Sequence, residues 1–178
     1  MSPVRRTRRP AAIALGVLTS GAVLAAGAPA ASAACAGANR TVASQGATRA
    51  EVAVRCLVNE RRAAAGLGPL AANARAATAA QRHTDDMVRR RYFDHTSPGG
   101  STMSDRVDRT GLRWSALGEN IAVGQRTPAA VMRGWMKSPG HRANIMKREF
   151  RVLGVGVARK GTRGFSGPTW TQVFARLK

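Results

Sequence analysis

The chain has 178 residues and a formal net charge of +20 at pH 7, with 29 lysines and arginines against nine acidic residues. Such a charge invites a nucleic-acid or other polyanionic partner. The basic residues after position 33 are scattered, however, and aromatic residues make up only 4% of the chain, so few rings are available to stack on bases. We therefore expect no specific nucleic-acid binding, but weak attraction to anionic cell-envelope polymers.

The first 33 residues have the pattern of an export signal. Four arginines within residues 5–9 precede an apolar run that ends near Ala26, and Ala31-Ser32-Ala33 has the small residues of a cleavage site. This run is too short and too interrupted to span a bilayer, and no later stretch approaches the roughly 20 apolar residues of a membrane helix. We predict a signal peptide over 1–33 and a secreted protein, extracellular or envelope-associated, without a transmembrane segment. The general secretory route is favoured, although Arg8-Arg9 leaves twin-arginine export open.

Two cysteines, Cys35 and Cys56, are the only ones in the sequence. An even number in an exported chain indicates one disulfide, worth roughly 3 kcal/mol in the chain-entropy model. Two free thiols, or a lipidated Cys35, are the alternatives. Residues 34–46 are small and polar, which suggests a leader held down by the bridge, and 47–178 have the length of one domain. We expect a monomer.

The first half of the domain is predicted to be helical. One helical pattern begins at Thr48 and stops before Gly66, where glycine and proline form a turn. A second helix is predicted from about Ala71 to Arg91, and its many alanines predict close packing against a neighbouring element. His83 lies on the packing face of this helix, so we expect a buried, hydrogen-bonded histidine rather than a ligand.

Shorter elements follow. A short helix is predicted over 101–110, and the segment ALGENIAVG suggests a short strand or an extended loop. Thr127-Pro128 is a sharp start signal for a helix that runs to about Lys137 with Trp135 in the core, and one further turn is expected over 141–146.

Two strand-like segments, 152–158 and 169–175, close the chain on either side of a glycine-rich loop. Helices come first and strands last. This order indicates an α+β domain in which helices pack against a small antiparallel sheet.

Five motifs together resemble a known family. YFDHTSP, GENIA, GWMKSPGHRANIM, LGVGVA and TWTQVF occur in the order and approximate spacing of the bacterial branch of the CAP superfamily. These SCP-domain proteins include cysteine-rich secretory, antigen-five and pathogenesis-related proteins. The resemblance covers about residues 50–176. It implies a three-layer α-β-α sandwich with a cleft where two histidines and two acidic residues meet, a site that binds a divalent metal in some relatives.

The resemblance carries three residues into that cleft: His95, Glu119 and His141. Ser138 stands where relatives with the full set have the second acid. Imidazole and carboxylate groups are ligands of the type that bind zinc, so we predict a divalent metal site, zinc first. Without the resemblance, the spacing contains no local zinc motif, and histidines that hydrogen-bond between loops are the alternative.

Ser97, Asn120, Trp135 and Ser138 are expected to line the same cleft. We assign no catalytic residue: no Gly-x-Ser-x-Gly elbow accompanies either serine, which disfavours a serine hydrolase. Two function classes remain. One is a binding module for a metal, a small apolar ligand or a cell-envelope glycan, and the other is a metal-assisted hydrolase with Glu119 as general base. The missing acid and the missing nucleophile favour the binding module.

Overall fold

The computed structural model describes residues 35–178, so the signal peptide predicted over 1–33 lies outside the described residues. Six helices and four strands follow one another within this range. In chain order they are α1 Val42–Gln45, α2 Ala47–Ala63, β1 Ala71–Ala72, α3 Ala74–Arg90, α4 Met103–Asp108, β2 Trp114–Val123, α5 Pro128–Lys137, α6 Pro139–Met146, β3 Val152–Ala158 and β4 Thr169–Leu177.

The four strands form one sheet in the order β1-β3-β4-β2. The pairs β3–β4 and β4–β2 are antiparallel, and β2 pairs with β4 from Trp114 opposite Leu177 to Val123 opposite Thr169. Only the two-residue β1 runs parallel to its neighbour β3. The predicted α+β class with a small antiparallel sheet is confirmed, with this short parallel edge as an addition that the sequence did not indicate.

Helices cover both faces of the sheet. Along β4, Trp170 and Phe174 pack into a cluster with α2, α5 and α6, whereas Val173 and Ala175 pack into a cluster with α3. Successive residues of a strand point to opposite faces, so these two clusters lie on the two sides of the sheet. This arrangement is the predicted three-layer α-β-α sandwich.

The α3 face is packed unusually closely. A Cβ atom placed on Gly154 of β3 would lie 2.1 Å from the backbone carbon of Ala76, and one on Gly156 would lie 2.5 Å from the backbone nitrogen of Gln81. Both strand glycines therefore let the helix backbone rest directly on the sheet. The close packing predicted from the alanines of this helix is confirmed, and Ala76 and Ala80 are fully buried.

The opposite face contains the larger apolar side chains. Trp135 and Trp170 are buried there, and the rings of Phe150 and Phe174 stack with their centroids 5.6 Å apart. The predicted disulfide between Cys35 and Cys56 is present at the edge of this cluster. It joins the segment before α1 to α2.

Three element boundaries differ from the prediction. The second helix begins at Ala74 rather than Ala71, because the Asn73 side chain accepts a hydrogen bond from the Ala76 amide and caps the helix, while Ala71–Ala72 pair with β3. GENIA lies in a full ten-residue strand, β2. Pro139 begins the eight-residue helix α6 instead of only ending the previous one, since proline fits the first helical turn.

Within residues 35–178, no helix has both the length and the apolar character that crossing a bilayer would require.

Candidate functional site

Glu119 lies at the centre of the candidate site. It lies in β2 opposite Val173 of β4, and its side chain is only 3% exposed. Arg106 of α4, which is also buried, donates from Nη2 to both carboxylate oxygens, at 3.1 Å from Oε1 and 2.9 Å from Oε2. A buried carboxylate needs such a partner, because an unpaired charge inside a protein is strongly destabilising.

Helix α4 is fixed at its start by a capping box between Thr102 and Asp105. Arg106 is the residue that follows Asp105 in this helix. The guanidinium also donates to the backbone carbonyls of Ser101, at 3.0 Å, and His95, at 2.9 Å. One arginine thus joins α4, the loop before it and the carboxylate on β2.

His95 lies in the loop after α3 and contacts Glu119 directly. Its Nδ1 is 2.8 Å from Oε1, and the side chain is 55% exposed. The hydrogen bond to Glu119 raises the pKa of His95. Burial alone would raise the pKa of the Glu119 carboxyl, but the hydrogen bond from His95 and the charge and hydrogen bonds of Arg106 hold that pKa below its ordinary value. An ionised carboxylate only accepts hydrogen bonds, so Nδ1 carries the proton and Nε2 of His95 is left for another partner.

His83 of α3 lies behind the same carboxylate. Its Nε2 is 3.7 Å from Oε1 of Glu119, and its Nδ1 is 3.3 Å from the hydroxyl of Tyr92. The side chain is fully buried, and this burial lowers the pKa of His83 to about 4, against the opposing effect of Glu119. His83 is therefore neutral at physiological pH and buried with a hydrogen bond, as predicted.

His141 lies in the first turn of α6. Two side-chain amides fasten this helix to β2: Asn120 Nδ2 donates to the His141 carbonyl at 3.1 Å, and Asn144 Nδ2 donates to the Glu119 carbonyl at 3.0 Å. Burial lowers the pKa of His141, and the charge of nearby His95 lowers it further. The two imidazoles are therefore close enough to repel each other when both are protonated.

The three predicted metal ligands are only partly brought together. His95 and Glu119 are in contact, but within residues 35–178 the ligand atoms of His95, Glu119 and His141 do not all lie within 4.8 Å of one another. Over that range, the single group that meets this spacing is Cys35, Cys56 and Glu60. Its two sulfurs form the disulfide and offer no thiolate to a metal.

Two of the predicted cleft-lining residues are buried and cannot line an open surface. Asn120 is fully buried and bridges His141 to Gln172, and Trp135 is 1% exposed in the apolar core. Asn120 fastens α6 to the sheet, and Trp135 belongs to the core. Ser138 is half-buried at the junction of α5 and α6. Ser97 is buried with its hydroxyl 2.9 Å from that of Tyr92, on the side of the site that faces α3.

Sequence reasoning missed Arg106 and Tyr92. Arg106 is one of 29 basic residues, and nothing in its local sequence distinguishes it from the exposed arginines. Tyr92 is the only tyrosine, and its hydroxyl links Asp86, His83 and Ser97. Two signals were available for it: Tyr92 directly follows a predicted helix, and it is the first residue of the motif YFDHTSP.

The model of the Cysteine-rich secretory protein family, CAP, matches residues 56–174. The chain belongs to this family. An uncharacterized protein of Bacillus subtilis, YkwD, is 39% identical over 118 residues, which cover 66% of this chain and 44% of that protein. The uncharacterized membrane protein YlbC of the same organism is 34% identical over 113 residues, covering 64% of this chain and 33% of that protein. The chain therefore spans less than half the length of these curated relatives.

Solved structures agree with this membership. An extracellular protein containing an SCP domain from Bacillus anthracis superposes with a TM-score of 0.68 and 34% identity, over 75% of this chain and 42% of that chain. An outer surface protein of Borrelia burgdorferi has a TM-score of 0.63 at 18% identity, covering 70% of this chain and 90% of its own. At that identity the second likeness shows the shared CAP fold alone.

Proposed function

We propose that this CAP protein is an exported binding module whose cleft holds a divalent metal ion between Nε2 of His95 and the ring of His141. Zinc is the metal that we expect. The observation that carries the proposal is the 2.8 Å hydrogen bond between His95 Nδ1 and Glu119 Oε1. Histidines that bind metals generally donate their second ring nitrogen to a carboxylate, which fixes the tautomer and the ring orientation. His95 makes this kind of hydrogen bond to Glu119.

Glu119 has a supporting role in this proposal rather than the direct ligand role expected from the sequence. Arg106 contacts both of its oxygens, and the two opposite charges cancel. The metal would therefore be held chiefly by two neutral imidazoles. We expect modest affinity and coordination positions left for water or for a ligand with oxygen or nitrogen donors.

The bound metal would supply a positive charge and an open coordination position at the cleft rim. His95 is exposed and His141 half-buried, so this rim is polar. A cell-envelope glycan, with many hydroxyl groups, suits such a rim better than a small apolar ligand does.

Export is supported by the disulfide, which is typical of oxidising compartments, and by the sequence pattern of residues 1–33. The related Bacillus anthracis protein is described as extracellular and the Borrelia burgdorferi protein as an outer surface protein. These descriptions agree with a protein that acts outside the cytoplasm.

The geometry disfavours the alternative of a metal-assisted hydrolase with Glu119 as general base. The carboxylate is 3% exposed, so a substrate water has little access to it. Arg106 and His95 occupy its oxygens, and its pKa is held below the ordinary value although burial acts to raise it. A general base works best with a pKa near the operating pH, which this environment opposes.

Zinc titration of the purified protein by calorimetry tests the proposal. We expect binding that weakens as the pH falls through neutrality, because His95, whose pKa is raised by Glu119, protonates before His141. His95→Ala and His141→Ala should each abolish measurable binding, whereas Glu119→Gln should weaken it about 10–100-fold, as loss of an orienting partner does.

His83→Gln is the matched control, because His83 is a histidine of the same site that is buried and not a proposed ligand. It should bind zinc as the wild type does. No binding at millimolar zinc, or unchanged binding in both the His95 and His141 variants, would exclude the metal site.

A further inference from the structure

Arg106 also lines a concave surface of the protein. It is a groove of about 450 Å³ between α3 and the segment 97–109. Five arginines line it: Arg82, Arg89, Arg90, Arg106 and Arg109. We call this surface the arginine groove.

The only acids lining the arginine groove are Asp85 and Asp86, so the lining has a formal charge of +3. Both carboxylates are already engaged. Asp86 accepts from Arg89 at 2.5 Å and from the Tyr92 hydroxyl at 2.8 Å, and Asp85 accepts from Gln81 at 2.8 Å. Asp86 also lies 3.6 Å from Arg90. With Arg106 paired to Glu119 as well, the groove keeps a net formal charge of +2.

The shape of the groove is defined by ordered elements. Arg82, Asp86, Arg89 and Arg90 fall on one face of α3 at spacings of four, three and one residues. A rise of about 1.5 Å per residue spreads Arg82 to Arg90 over about 12 Å. Arg106 and Ser97, each 7% exposed, form the floor. Arg82, Arg89, Arg90 and Arg109 are exposed along the walls.

We propose that the arginine groove binds the phosphate groups of an anionic polymer. The guanidinium group presents its donors in a planar fork that matches the oxygens of phosphate. Several guanidinium groups along one open groove can bind successive phosphates of the same chain, and linked contacts strengthen one another without enclosing the ligand. The groove shares Arg106 with the proposed metal site, but phosphate binding in it does not require a bound metal.

The test measures the affinity of the purified protein for inorganic polyphosphate over a range of salt concentrations. The groove variant carries three substitutions at exposed arginines: Arg82→Gln, Arg89→Gln and Arg109→Gln. We expect its affinity at low salt to fall about tenfold or more, and the slope of log affinity against log salt to shrink by about 2 to 3, because fewer counterions are displaced. Arg106 is left intact since it also contacts Glu119.

The control variant removes the same charge elsewhere, with Arg113→Gln, Arg133→Gln and Arg176→Gln, all exposed and outside the groove. It should lose less than about threefold in affinity, since only the general electrostatic attraction weakens. Both variants should keep the melting temperature of the wild type, because exposed ion pairs contribute little to stability.

Two further probes distinguish the chemistry and the source of the phosphate. Polyglutamate should bind more weakly than polyphosphate, and vesicles of phosphatidylglycerol and phosphatidylcholine should retain the groove and control variants equally. Equal losses of polyphosphate affinity in the two variants, or equal affinity for polyglutamate, would overturn the proposal. If the groove variant loses binding to vesicles but not to polyphosphate, the groove binds a lipid headgroup, and the proposal of a polymer ligand is wrong.

Discussion

The two faces of the sheet are packed in opposite ways. Towards α2, α5 and α6, large side chains such as Trp135, Trp170 and Phe174 fill the space between layers. Towards α3, Gly154 and Gly156 of β3 have no side chains, so the backbone of α3 rests on the strand at these two positions. The first face stabilises the fold by burying apolar area. The second fixes the distance between α3 and the sheet.

This difference matters because α3 contributes residues to both surfaces for which we propose a function. The α3 face becomes polar beyond its glycines: Thr84 of α3 bonds Thr171 of β4 at 2.8 Å, and His83 approaches Glu119 of β2. The exposed side of the same helix carries arginines of the groove. The α3 face should therefore tolerate changes of volume far less than the opposite face does.

The largest expected effect comes from adding a side chain to the α3 face. Gly154→Val should prevent folding, at a cost of about 5 kcal/mol or more, because its Cβ would overlap the backbone of Ala76. Gly134→Val on α5 is the control, since nothing lies within 4 Å of its Cβ position. Circular dichroism and urea denaturation of both variants measure the difference, and similar stabilities would show that α3 can move away from the sheet.

Removing a side chain from the opposite face should cost less. Trp135→Ala is expected to lower the free energy of unfolding by about 3 to 5 kcal/mol, because it leaves a cavity in the apolar core. Trp114→Ala, at a partly exposed strand end, should cost clearly less. Urea denaturation of the two variants checks this. A Trp135→Ala protein with the stability of wild type would show that burial of Trp135 does not stabilise this face of the sheet.

We expect the buried His83 to have a smaller effect, which is on the pH dependence of the stability. His83 has a pKa of about 4 in the folded protein, caused by burial, against an ordinary value of 6.5. Between these values the unfolded chain binds the proton more readily, so stability falls as the pH falls. From pH 7 to pH 5 the loss due to His83 is about 2 kcal/mol.

The His83→Gln variant should lack this part of the acid sensitivity. Urea denaturation of wild type and variant at both pH values isolates it, because all other groups titrate in both proteins. An identical pH dependence in the two proteins would show that His83 can take up a proton in the folded state at little cost.

Much of the fold could be predicted from local signals. Thr127-Pro128 predicted the start of α5 correctly because capping and a proline in the first turn are local effects. The strand β1 could not be predicted, since two alanines pair with β3 only through contacts 81 residues away in sequence, as Ala71 with Val152. Because the neighbouring alanines have a helical pattern, these two residues were assigned to the helix.

The candidate site was less predictable. The family resemblance correctly brought His95 and Glu119 together, and they form a hydrogen bond. The partner of the carboxylate, Arg106, follows only from the orientation of α4 against β2, which no local pattern encodes. Trp135 was correctly predicted to lie in the core from its helical face, whereas the further expectation that it lines the cleft is wrong, because only 1% of it is exposed.

We propose that His95 binds a metal through Nε2 while its Nδ1 donates a hydrogen bond to Glu119. Imidazole nitrogen NMR spectra of ¹⁵N-labelled protein during a zinc titration would observe both nitrogens at once. We predict changes at Nε2 of His95 and at one ring nitrogen of His141, with Nδ1 of His95 remaining a protonated donor and His83 unaffected. No change at Nε2 of His95 at millimolar zinc, or zinc-dependent deprotonation of its Nδ1, would show that His95 does not bind zinc in this way.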